Sequence, residues 1–362
     1  MKHSQPDRLS SRSAGVDDRK RVPMNRTLQT ILIAVLTFVA GIFTADFIND
    51  SPATPPPPTA TRPQPDRAMS DIHIAPMPET LVLCGEKMPL EDRRVWEMLD
   101  REFNITVWDR AQIYMYFKRA GRYFPYIEKE LAKAGLPDDL KYLAVAESAL
   151  ITHSKSTKGA RGPWQFMTLA ARSNGLRRDG IIDERLSFER STEAAIKNLQ
   201  RLHGKFDSWA LAMAAYNGGD TRVRKAIRSQ KTDDYYRLNL PLETERYIFR
   251  IAAIKIIMEN PERYGYDLSV VGIYPPARYD TALIKLNKRV TIIDLALAIG
   301  TDFKELKELN PHFLRDYLPP GRHYLHVPMG LGMKTVDFFN GGIGSNQPAK
   351  LVASDRVPRN TH

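Results

Sequence analysis

From about residue 90 to residue 265 the apolar residues recur at helical spacing and strand-like alternation is hard to find, so this stretch is predicted to bury its hydrophobic side chains as one mainly helical domain. In EDRRVWEMLDREF the residues Val95, Leu99 and Phe103 share a face, and WDRAQIYMYFKRA carries Ile113, Met115 and Phe117 in an apolar run. RYFPYIEKELAKAG stops on a glycine after Lys133, and LPDDLKYLAVAESAL then opens with Pro137, Asp138 and Asp139 as a helix start. Further amphipathic segments follow at STEAAIKNLQRLHGKF, SWALAMAAYN and ETERYIFRIAAIKIIMEN.

One of these helices holds a residue that does not fit a simple core. Counting from Leu140, the positions Leu143, Ala144 and Glu147 fall at i+3, i+4 and i+7, so a carboxylate shares the face that should be buried. Ionised and unpaired in an apolar site it costs on the order of several kcal/mol, and it must be paired, neutralised or put to use.

The flanks of the helical region constrain where it works. Residues 1–26 are a basic tail of net charge +4, expected to be disordered. Residues 27–45, TLQTILIAVLTFVAGIFTA, contain no charge and are long enough, at about 1.5 Å per residue, to cross a hydrocarbon core of roughly 30 Å. Basic residues precede this run and Asp46 and Asp50 follow it, so as an N-terminal transmembrane helix it puts residues 1–26 in the cytoplasm and the rest outside, in the periplasm. A cleaved signal peptide is the rival reading; the long basic n-region and the lack of a small-x-small site favour an uncleaved inner-membrane anchor. Residues 46–78 form a Pro-rich linker whose proline-dense stretch, 51–78, can reach up to roughly 85 Å in polyproline II.

The chain carries a net charge of +11, which suits polyanionic surroundings without choosing among them, and a periplasmic location argues against nucleic acid. Its single cysteine, Cys84, follows Leu83 where an acylated cysteine needs a small residue, and is expected to be a small core residue. No pair or cluster of cysteines suggests a disulfide or a Cys-ligated metal, and no cofactor or metal is expected. After residue 270 the pattern changes: a short strand around 282–286, helices at VTIIDLALAIG and DFKELKELN, then LPPGRHYLHVP, a βααβ module over 280–328 with Thr291 as N-cap and Gly300 as stop. Residues 329–362 show no periodicity and are expected to be a disordered tail.

Two local motifs accompany Glu147. THSKSTKGARGPWQFM is a polar, Gly- and Pro-containing loop of the kind that presents groups to a ligand, and it sets Gln165 among Trp164, Phe166 and Met167. LAMAAYNGGD places Tyr216 and Asn217 at the end of a helix of small apolar residues, broken by two glycines. Taken singly each has a bland explanation: a solvated glutamate, a turn into a core helix, a helix stop. Their order together with the apolar setting of Glu147 is far more specific.

The run Glu147-Ser148, Ser156 nine residues on, GARGPWQFM at 159–167, AAYNGG at 214–219 and LPLETERYIFRI at 240–251 together resemble the family 1 lytic transglycosylases with the soluble-lytic-transglycosylase domain, above all the membrane-bound D type. The resemblance covers about residues 84–265 and implies a lysozyme-like helical catalytic domain at 79–270, acting on peptidoglycan glycan strands. It implies Glu147 as the single catalytic acid, with Ser148, Ser156, Gln165, Met167, Tyr216, Asn217 and Tyr247 lining the glycan groove. Where the family has GLMQ or GLWQ, this chain has Gly162-Pro163-Trp164-Gln165, which keeps the glutamine. The residues at 280–328 resemble a LysM domain, with Arg289-Val290 where Gly-Asp is usual before the threonine; glycan binding and structural help to the catalytic domain both stay open for it.

The physics agrees with the implied chemistry. An apolar setting raises the pKa of Glu147, so that it can protonate a glycosidic oxygen near neutral pH and then, as carboxylate, take the proton of the C6 hydroxyl that attacks the anomeric carbon. A conventional hydrolase needs a second carboxylate. Asp183, Glu184 and Asp220 are the nearby acids in sequence, and solvated or structural placement is expected for each. Two rivals remain: a muramidase that adds water, and a catalytically silent peptidoglycan-binding scaffold.

Overall fold

The computed structural model describes residues 75–270, 272–341 and 348–352. The described chain opens with an antiparallel hairpin, β1 (Leu81–Leu83) and β2 (Glu86–Met88), closed by Cys84-Gly85, both at positive φ as a two-residue turn with right-handed twist requires. Strands of three residues are too short to show alternation, and the hairpin has no counterpart in the sequence reading. Cys84 is buried, as expected, and burial pushes its thiol far up.

Eight helices follow. α1 (Arg93–Trp108) is capped by Asp92 and buries Val95, Leu99, Phe103 and Val107 along one stripe. α2 (Arg110–Lys133) is a single helix running through Pro125, where the sequence suggested two segments. α3 (Lys141–Ser148) and α4 (Thr168–Ser173) flank the polar loop, and α5 (Phe188–Phe206), α6 (Trp209–Gly218), α7 (Asp220–Gln230) and α8 (Leu242–Glu259) complete the domain. α8 is apolar nearly all round, burying Ile248, Phe249, Ile251, Ile254, Ile256 and Ile257, and it packs on α1, α3 and α6 as the central helix of the core. Each such side chain contributes roughly 1.5–3 kcal/mol on full burial, which makes α8 the scaffold on which site residues can be held. No helix among the described residues is long and apolar enough to cross a membrane; the run 27–45, the tail 1–26 and the linker up to residue 74 lie outside the described residues.

The C-terminal module is built on β3 (Tyr279–Leu286), β4 (Val290–Thr291), α9 (Ile292–Ile299), α10 (Phe303–Leu309), β5 (Tyr317–Leu318) and β6 (Gly321–Pro328). Thr291 accepts from the Asp294 amide as N-cap, and Gly300 ends α9 at φ +83. β3 pairs antiparallel with β6 over its whole length. The tail is not structureless: α11 (Gly332–Asn340) and β7 (Lys350–Val352) belong to the module. Val336 and Phe339 bury one face of α11 in the module core, and β7 covers the second edge of β3, giving the order β6-β3-β7. One helical turn of apolar residues and a three-residue strand leave too little period to find in sequence.

The two parts are joined by more than their linker. Residues 181–183 lie against the module in strand-like fashion: the Asp183 amide donates to the His312 carbonyl at 2.9 Å and the Leu314 amide to the Ile181 carbonyl at 2.8 Å. Ile182, from the helical domain, is buried in the core of the module beside Phe313.

Candidate active site

Glu147 sits in the last turn of α3, which ends abruptly because Ala149 and Leu150 both take positive φ, 54° and 62°. The α3 residues Tyr142, Leu143, Ala144 and Val145 are buried, whereas Glu147 keeps partial exposure, so its carboxyl stands where the core opens. The start of the helix is fixed by Asp139, whose carboxylate accepts from the Cys84 amide at 2.7 Å and from Lys255 at 2.6 Å, tying hairpin, α3 and α8 together.

Desolvation pushes the Glu147 carboxyl up to about 7 from an ordinary 4.5. The hydroxyl of Tyr247 opposes this by donating to Oε1 at 2.5 Å, and Arg250 opposes it more weakly, while Glu243 adds to the rise. The C-terminal end of a helix also disfavours a negative charge. Tyr247 is itself buried on α8, and its phenol is held neutral first by burial and then by the neighbouring carboxyl.

The loop between α3 and α4 wraps over this corner. Ser148 is buried and donates to the Pro163 carbonyl at 2.7 Å, and Trp164, fully buried, donates from Nε1 to Thr192 at 2.9 Å. Tyr216, near the end of α6, donates to the Trp164 carbonyl at 2.8 Å, and Asn217 accepts from Thr244 of α8 at 3.1 Å. Ser156 accepts from the Ala160 amide at 2.9 Å, and Gln165, at φ +46, donates to the Gly162 carbonyl at 2.8 Å. Met167 leaves the loop exposed. Ser148 and Tyr216 thus meet the loop, Tyr247 meets the acid, and Asn217 is held through α8.

Several residues outside the predicted groove set shape the corner. Arg185 and Asp183 form a buried two-pronged ion pair, at 2.8 and 2.7 Å, and Arg185 Nη1 donates to the carbonyls of Phe166 at 3.0 Å and Gly159 at 3.1 Å. Gly162, at φ +82, lies so close that a Cβ there would be 1.7 Å from the Arg185 carbonyl oxygen. Glu102, buried on α1, pairs with Arg246 at 2.7 Å and Arg250 at 3.7 Å, and Glu243 pairs with Arg250 at 3.0 Å. The spacing of Glu243, Arg246 and Arg250 on one helix was the available signal.

The acids near the motifs are therefore committed elsewhere. Asp183 belongs to Arg185, Glu184 accepts from the Arg177 amide, and Asp220 binds Lys205 and Arg201. Glu243, the one carboxylate whose charge Glu147 feels among the described residues, is held by Arg250. The arrangement offers a single protonated acid near neutral pH, with a hydroxyl donor on its oxygen.

Comparison with known proteins bears out the resemblance in both parts of the chain. Residues 124–239 match the transglycosylase SLT domain, and residues 280–337 match the LysM-like domain of lytic transglycosylase MltD. The membrane-bound lytic murein transglycosylase D of Escherichia coli K12 is 29% identical over 302 residues, which is 80% of this chain and 64% of that protein. The peptidoglycan transglycosylase gp16 of Escherichia phage T7 is 42% identical over 88 residues, 24% of this chain and 7% of that protein. An inactive mutant of the lytic transglycosylase Slt of Pseudomonas aeruginosa is similar in structure at 21% identity, covering 41% of this chain and 24% of that one, with a TM-score of 0.25. The chain spans just under two thirds of the length of the first of these relatives.

Proposed function

We propose that this chain is a peptidoglycan lytic transglycosylase that cleaves the MurNAc-β-1,4-GlcNAc bond without water and leaves a 1,6-anhydro-MurNAc end, on a lysozyme-like catalytic domain. Glu147, protonated up to about pH 7, gives its proton to the glycosidic oxygen as the bond to the anomeric carbon breaks. The resulting carboxylate takes the proton of the C6 hydroxyl as that oxygen bonds to the anomeric carbon, which returns Glu147 to its starting form. Tyr247 holds the carboxyl and stabilises its charged stage. Ser148 and Tyr216 hold the loop carbonyls of Pro163 and Trp164, and Ser156, Gln165, Met167 and Asn217 line the groove for the glycan.

The observation that carries this reading is one desolvated acid without an ion-pair partner: Asp183, Asp220 and Glu243 are each paired with arginine or lysine, which argues against a second carboxylate that activates water or acts as nucleophile. Mass spectrometry of digested sacculi tests it. Anhydro ends, lighter by one water, are expected from the wild type and not from Glu147→Gln. Hydrolysed ends would make the protein a muramidase, and release of neither would make it a binding scaffold.

The location follows the same reading. Residues 27–45 anchor the chain in the inner membrane and 46–78 tether the catalytic domain in the periplasm. Carbonate extraction of membranes, with protease access in spheroplasts, checks both.

A further inference from the structure

Between the helical domain and the C-terminal module runs a cleft of about 2240 Å³, larger than the roughly 300–1,000 Å³ of a small-molecule site. Its walls come from both parts. Tyr123 and Tyr126 of α2 and Phe188 of α5 form an aromatic patch, with the Phe188 ring centroid 4.6 Å from that of Tyr123 and 5.5 Å from that of Tyr126. Thr152, five residues past Glu147 on the segment that leaves α3, also lines it, so the cleft touches the loop that follows Glu147.

Its charges are unevenly satisfied. Five carboxylates line it, and all are engaged. Glu184 and Glu193 bind Arg190, Glu189 binds His326 at 3.4 Å and Tyr279, Glu305 accepts from Thr301, and Glu308 lies 3.7 Å from Lys304. Arg122 from α2, Arg278 from the segment just before β3 and Arg322 from β6 line the same space; Arg122 lies over the Tyr274 ring at 5.0 Å, and none of the three has a carboxylate partner among the described residues. His312 adds a second observation. It is 8% exposed, it lines the cleft, and its Nδ1 has no hydrogen-bond partner among the described residues.

We propose that this cleft binds the peptide stem of peptidoglycan, its carboxylates on Arg122 and Arg322 and its apolar side chains on Tyr123 and Phe188. The proposal rests on the glycan-cleaving reading, because the stem hangs from the lactyl group of the muramic acid that Glu147 would act on. Guanidinium groups on facing walls suit a chain bearing carboxylates at intervals, since each can hold one by two parallel hydrogen bonds. The module then contributes to substrate selection through β6, as one wall of a shared site.

The test is calorimetric titration of the detergent-solubilised full chain carrying Glu147→Gln, which binds without turnover. The stem tetrapeptide is titrated as free acid and as the form amidated at every carboxylate. The free acid is expected to bind about tenfold more tightly or better, and Arg122→Gln with Arg322→Gln to remove that difference. Indifference to amidation in the parent protein overturns the proposal whether or not the double variant folds, and so does absence of binding by the free acid. Anhydro-product analysis of the wild type is read separately, so a failure of the proposed chemistry is not confused with a failure of the cleft.

Discussion

At Glu147 the folded protein holds a carboxyl at about 7 against an ordinary 4.5, and the sign of that shift makes the site a burden on the fold. The native state binds the proton more tightly than the unfolded chain, so its contribution is intact below about pH 4.5 and is lost as pH rises through about 7. At about 1.4 kcal/mol per unit, ionisation above neutrality costs on the order of 3–3.5 kcal/mol. Glu147→Gln has no charge to desolvate, so its thermal midpoint is expected to exceed that of the wild type at pH 8 and to match it near pH 4.5; equal gains at both values would contradict the buried-acid account. Tyr247→Phe probes the same carboxyl from the other side. Removing the donor at 2.5 Å takes away a bond that favours the carboxylate, so the acid becomes weaker still. The alkaline limb of kcat/KM is then expected to move up by about one pH unit, whereas a tyrosine with only a packing role would leave the limb in place.

At the scale of elements the site depends on a loop clamped from below. The loop 159–167 has little apolar burial beyond Trp164 and Phe166, and its shape is set by Arg185, which holds the Gly159 and Phe166 carbonyls, and by Gly162 pressed on the Arg185 backbone. Gly162→Ala must displace one chain or the other, at a residue whose φ of +82 already disfavours a side chain. It is expected to lower stability by about 2–4 kcal/mol in urea unfolding and to reduce activity further than that loss of folded protein explains. Sequence alone indicates the loop and its glycine but not the clamp. The reason is general to this chain: helices with long stripes, such as Val95, Leu99 and Phe103, and ends with caps, such as Thr291 and Gly300, announce themselves locally. The hairpin at 81–88, the helix at 332–340 and the strand at 350–352 are each too short to carry a period, and they exist because of what they pack against. The same divide holds in the site. Glu147 is legible because a charge interrupts an apolar face, whereas the bond of Thr244 to Asn217 and the hold of Arg185 on the Gly159 and Phe166 carbonyls form only once distant segments meet.

Over the whole molecule the clamp continues into the C-terminal module. Ile182 is buried in the module core, the next residue donates its amide to His312, and the carboxylate of that same Asp183 orients Arg185, which holds the loop carbonyls. Module, strand-like segment and active-site loop form one line of direct contacts, so loosening the docking should loosen the loop before it loosens the core. Ile182→Ala removes buried methyl and methylene groups worth about 2–4 kcal/mol where the module grips the helical domain, and touches nothing around α8. Hydrogen exchange on the full chain is the suitable measurement, because the amides of Gly162, Gln165 and Phe166 are bonded within the loop, to Ser154, Gly162 and Arg161 carbonyls at 2.9, 3.2 and 3.1 Å. Their protection is expected to fall by about tenfold or more in the variant, while amides in the middle of α8, such as that of Ile254, keep theirs. Uniform loss along the chain would mean that the substitution acts on global stability alone. Unchanged loop amides would mean that the module is docked without bearing on the site.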